Sequence, residues 1–127
     1  MYGFSKEIPL DFREAVDKVK AALKQEGFGI LSEIDVKTTL KKKLDVDFRK
    51  YVILGACNPP LAHKALTEET QIGLLLPCNV IVYENPGGGS TVAVVNAEKM
   101  LSVVEKESLQ GLAVEVNSKL QRAMETI

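Results

Sequence analysis

The order of the apolar patterns constrains this chain more than any single motif. One strand pattern and one helical stripe are followed by a run of four strand patterns, and a second long helical stripe closes the chain. Parallel neighbours need a helical crossover between successive strands, whereas strands grouped in a run pair antiparallel and leave the helices to pack on them. The sequence therefore predicts an α+β fold. Its core is a mainly antiparallel five-stranded sheet in strand–helix–four strands–helix order, with short inserted helices.

The elements behind that order are read from periodicity. Tyr2, Phe4 and Ile8 alternate with Gly3, Ser5 and Glu7, and Pro9 ends this first strand. Asp11 and Glu14 form a capping box ahead of Phe12, Ala15, Val16, Val19, Ala22 and Leu23, which recur at helical spacing until Gly27. Phe28, Ile30, Ile34 and Val36 alternate with Gly29, Glu33 and Asp35, a second strand with one wet face. Residues 38–44 predict a short helix and residues 45–50 a polar link. Residues 52–56 lack polar alternation, so the third strand is expected to be covered on both faces.

Asn58 is placed to cap a helix that begins at Pro59 and buries Leu61, Ala62, Ala65 and Leu66. Residues 72–77 read as an apolar loop. Residues 79–83 and 91–95 flank Asn85-Pro86-Gly87-Gly88-Gly89 as a hairpin. Asn96 caps a brief helix reaching Val104. The last stripe is Leu109, Leu112, Ala113, Val116, Leu120, Ala123 and Met124.

Composition narrows the class. A chain of 127 residues that is 46% apolar and 26% charged is the size and make-up of a single globular domain, residues 1–127. A net charge of −1 provides no bulk attraction for nucleic acid or an anionic membrane, and Lys41-Lys42-Lys43 reads as a solvated helix face. The start has no apolar stretch behind a basic segment, and no apolar run approaches the roughly 20 residues a bilayer needs. The expectation is a cytoplasmic protein with two reduced cysteines, no membrane and no nucleic-acid partner.

Three segments carry a family resemblance. Glu26-Gly27-Phe28-Gly29-Ile30-Leu31, the stretch from Ala56-Cys57-Asn58-Pro59-Pro60 to Leu66, and the stretch from Ile72 through Pro77-Cys78-Asn79 to Glu84 follow one another in order. Together they resemble the bacterial and archaeal family called "domain of unknown function 302", along nearly the whole chain. The resemblance implies the strand–helix–four strands–helix arrangement of TATA-binding-protein-like domains. That likeness of fold implies no DNA binding, because function lives in sites.

The residues that bear chemistry gather around the third and fourth strands. Cys57 ends the third strand just before a helix N-terminus, where exposed amides and the helix dipole would favour a thiolate. Cys78 opens the fourth strand, so antiparallel pairing would bring both thiols to one edge of the sheet. With Asn58, Asn79 and His63 they form a candidate binding cluster. The structural reading of each is simple: buried cysteines act as small hydrophobes, Asn58 caps, and His63 borders its helix stripe. Two thiols and an imidazole make three ligands, one short of a closed zinc site, and no metal is assigned. Gly87-Gly88-Gly89-Ser90-Thr91 sits between strands and lacks a phosphate-loop lysine, so it reads as a turn. No cofactor is named by any motif.

The leading expectation is a non-catalytic domain that binds a small ligand or a partner and works as a homodimer. The alternative is a redox or metal-holding thiol site at Cys57 and Cys78, and acid–base catalysis by His63 is a third class. Dimerisation is argued from the third strand, where Val52, Leu54 and Ala56 point one way and Tyr51, Ile53 and Cys57 the other. The helix at 38–44 is the internal element that would otherwise cover the second face.

Overall fold

A computed structural model describes all 127 residues. The chain forms β1 (Gly3–Ile8), α1 (Phe12–Gln25), β2 (Gly29–Asp35), α2 (Val36–Leu44), β3 (Tyr51–Cys57) and α3 (Pro59–Glu68). A 3-10 turn at Thr70–Leu75 leads to β4 (Cys78–Glu84), β5 (Ser90–Val95), α4 (Ala97–Leu101), a second 3-10 turn and α5 (Glu107–Glu125). The five strands make one sheet in the order β1-β5-β4-β3-β2 with every neighbour antiparallel. This is the α+β architecture and element order that the sequence predicts.

Local chemistry sets the boundaries of α1. The Asp11 carboxylate accepts the Glu14 amide at 2.9 Å. At the other end the Gly27 and Phe28 amides donate to the Lys24 and Leu23 carbonyls, with Gly27 at a φ of 86° that only glycine adopts without strain. Ala15, Val16, Val19, Ala22 and Leu23 are buried, and α1 lies against β4 and β5. The α5 stripe packs on α1, α3 and α4. Both long helices thus cover one face of the sheet, the one carrying Val52, Leu54, Val80, Val82, Val92 and Val94.

The opposite face has no such cover. Cross-strand register aligns Ile34, Ile53, Ile81 and Ala93 in one row from β2 to β5. Ile34 is 49% exposed, the next three are only half-buried, and α2 buries none of its own residues. α2 touches β2 and β3, and Phe48 and Arg49 pack against Tyr51 and Tyr83, but no buried helical layer covers the row itself.

Two local expectations are corrected. β2 carries a bulge: Ile30 pairs with Ala56 but Ser32 pairs with Gly55, which leaves Leu31 as the extra residue. The bulge exchanges the faces, so Ile30 points into the core, Ile34 joins the open face, and Glu33 and Asp35 turn to the helical side. There Glu33 pairs with Lys20 of α1 at 2.9 Å and Asp35 caps α2. The apolar segment at 72–77 is no open loop either. It holds the first 3-10 turn, which buries Ile72 completely and leaves Leu74 in solvent.

Candidate functional site

Antiparallel pairing of β3 with β4 sets Ala56 opposite Cys78, so the two cysteines meet at the same end of the sheet. Strand alternation gives them opposite faces, Cys78 beside Ala56 on the helical side and Cys57 on the open side. The sheet stops there, and both border a cavity of about 290 Å³ beyond the strand ends. Both are free thiols, Cys78 buried and Cys57 half-buried. Burial, with Cys57 nearby as the second cause, pushes the Cys78 thiol up to about 11. Cys78 therefore stays protonated at neutral pH.

The cavity is roofed by α3 through Leu61, Ala62, Ala65 and Leu66, and closed by Leu112 and Val116 of α5 with Phe28 and Leu31 at the β2 end. Gly73, Leu76 and Pro77 form its remaining side. Close approach of that side depends on Gly55, because a Cβ there would run into Ser32 Oγ and come within 2.8 Å of Pro77 Cγ. All three segments that carry the family resemblance contribute to this lining.

Asn58 borders the cavity, but its amide is engaged at both ends. Its Nδ2 donates to the Glu26 carbonyl at 3.3 Å, tying α3 to the end of α1, and its Oδ1 accepts the Leu61 amide at 3.4 Å. The expected exposed amides at the α3 N-terminus are not there. Pro59 and Pro60 have no N–H, Leu61 donates to the Asn58 side chain, and Ala62 donates to the Asn58 carbonyl at 2.9 Å. An anion at Cys57 would find no free donor in that turn.

The other two candidate residues do not line this cavity. His63 is exposed on α3 and Asn79 is exposed on β4, where it borders a shallow depression beside Ile81 and Val95 on the open face. Neither borders the cavity. No three histidine, cysteine or acidic side chains come together as a metal-binding group. The sequence reading missed Leu31, Leu101, Leu112 and Val116 as cavity residues. The apolar stripe of α5 was visible, but its alignment with α3 depends on tertiary packing.

A larger cleft of about 520 Å³ runs between α1 and β2. Four of its charged side chains are engaged within the chain: Lys20 holds Glu33, Asp35 caps α2, and Lys37 donates to the Phe48 carbonyl at 2.8 Å, while Arg13, Asp17 and Lys50 also line it. The Thr38 amide and hydroxyl hold the Asp35 carboxyl below its usual range.

An all-antiparallel sheet with helices on one face and an apolar cavity at its end defines a two-layer α+β domain. Its family follows from the comparisons. The model of the family described as "Domain of unknown function DUF302" matches residues 4–127, and the chain belongs to that family. The crystal structure of an uncharacterized conserved DUF302 protein from Bacillus stearothermophilus is similar, with a TM-score of 0.91 and 27% identity over 99% of this chain and 98% of that one. No curated protein matches the chain. No helix is long and apolar enough to cross a membrane.

Proposed function

We propose that the chain is a cytosolic, single-domain, non-catalytic binding module that works as a homodimer, pairing through the open face of its sheet. The observation that carries this reading is the uncharged row Ile34–Ile53–Ile81–Ala93 on the uncovered face. Beside it Tyr51 and Tyr83 stack with ring centroids 5.4 Å apart. Two such faces suit each other, because twisted sheets pack face to face by interleaving side chains at about 10 Å. Two-fold pairing uses the same patch twice and closes the assembly.

Light scattering over a dilution series tests it. The expected result is a dimer at micromolar concentration. Ile81→Asp should give a monomer with unchanged far-UV circular dichroism, since its side chain lies on the open face. A clean monomer of the unaltered protein at micromolar concentration overturns the reading.

One observation favours a second reading, a redox or metal-holding thiol pair: Cys57 and Cys78 border the same cavity. The high pKa of Cys78 weighs toward structural thiols, since the thiolate is the form that attacks or ligates. Elemental analysis of protein purified without chelator separates the metal-holding form, which predicts bound metal at a stoichiometry that falls when Cys57 is replaced by Ala.

A further inference from the structure

We propose that the cavity at the β3–β4 end is a binding site for a short, uncharged aliphatic chain. The site is separate from the dimer face and does not depend on it. Its lining is hydrocarbon and sulfur throughout, apart from backbone and Asn58, whose side-chain amide is already engaged. No charged side chain borders it, so a ligand with a charge inside would be left unpaired. Phe28 is the only aromatic neighbour, so there is little to stack on and branched or straight hydrocarbon fits the walls better than a ring system.

The size agrees with such a ligand. A volume of about 290 Å³ at interior packing density holds about ten non-hydrogen atoms. Apolar cavities of about 150 Å³ already stay dry and take up benzene, so a site of this size and lining favours an apolar guest. The rim points the same way. The β2 bulge sets Leu31 at the cavity with 69% of its surface exposed, and Leu66 across the mouth is 42% exposed. Exposed leucines on both sides of an apolar opening extend a hydrocarbon path from solvent to interior, which the alternating register would have interrupted without the bulge.

Titration of the full chain with 1-butanol, 1-hexanol, 1-octanol and 1-decanol, followed by amide chemical shifts, tests this. Saturable shifts are expected at Cys57, Leu61, Cys78 and Val116, with Ile53 unmoved. Affinity should rise by about fourfold per methylene, the value of burying one CH₂, and level off near ten heavy atoms. Ala62→Leu, which fills the cavity from α3, should weaken 1-octanol binding by about tenfold or more. Non-saturating shifts, shifts centred on the open face, or affinity independent of chain length would each overturn the proposal. Undiminished binding by folded Ala62→Leu would do the same. Should that variant fail to fold, the chain-length series on the unaltered protein decides alone.

Discussion

Cys78 shows how a single buried group makes stability depend on pH. Its partner Ala56 and the β4 strand hold it on the helical face, and burial raises its pKa from 9.0 to about 11. Below pH 9 both folded and unfolded chains keep the proton and no dependence arises. As pH rises from 9 toward 11 the unfolded chain releases it while the native chain does not, so the unfolded state binds fewer protons and stability falls. The Cys78 share of the loss should total roughly 2–3 kcal/mol, seen in urea midpoints across that range and reduced in Cys78→Ala to what the Tyr51 phenol, also raised by burial, contributes. Iodoacetamide at pH 8 should modify Cys57 first and reach Cys78 only on unfolding; equal rates at both thiols would refute the assignment. At this scale the sequence was legible wherever geometry is local. Gly27 as a helix stop and Asn58 as a cap each depend on neighbours a few residues away. Whether His63 and Asn79 line the same cavity as the cysteines depends on which way a helix and a strand turn their faces, and no spacing rule carries that.

Among the elements, α4 and α5 are joined by a polar group that the apolar stripe concealed. Asn117 lies within the buried stripe of α5, where its Oδ1 accepts the Ala97 amide at 2.7 Å. Its Nδ2 donates to Asn96 Oδ1 and Glu98 Oε2, both at 2.9 Å. Asn96 in turn accepts the Lys99 amide and donates to the Met1 carbonyl, so the α4 cap, the chain start and α5 share one network. No buried side-chain polar atom lacks a partner. Asn117→Ala removes the acceptor of a fully buried amide and should cost about 1–3 kcal/mol, read as a lower urea midpoint at unchanged slope. A loss under about 0.5 kcal/mol would mean that water replaces the side chain. The helices themselves were readable because 3.6-residue periodicity spans several turns. The β2 bulge was not, because strict alternation and its one-residue interruption differ only in which side Leu31 takes. That single residue inverted the expected wet face of β2 and moved Ile34 onto the open side.

For the whole molecule, the consequence of a second copy on the open face is a coupling of folding to concentration. In a monomer the row from Ile34 to Ala93 stays partly exposed in the native state, whereas a dimer removes the remainder of both copies from solvent. When the native state is a dimer and the unfolded state is two chains, mass action stabilises the native state as concentration rises. Ordinary unfolding enthalpies for two chains of this length put the increase in Tm at about 3 °C per tenfold rise in concentration. Differential scanning calorimetry over a hundredfold range should show that rise in the unaltered protein. Ile81→Asp should abolish it, with a single lower Tm at every concentration, because a carboxylate at the centre of the row cannot be buried unpaired against its own copy. A constant Tm in the unaltered protein would place its folding wholly within one chain, and the open apolar face would then need another partner.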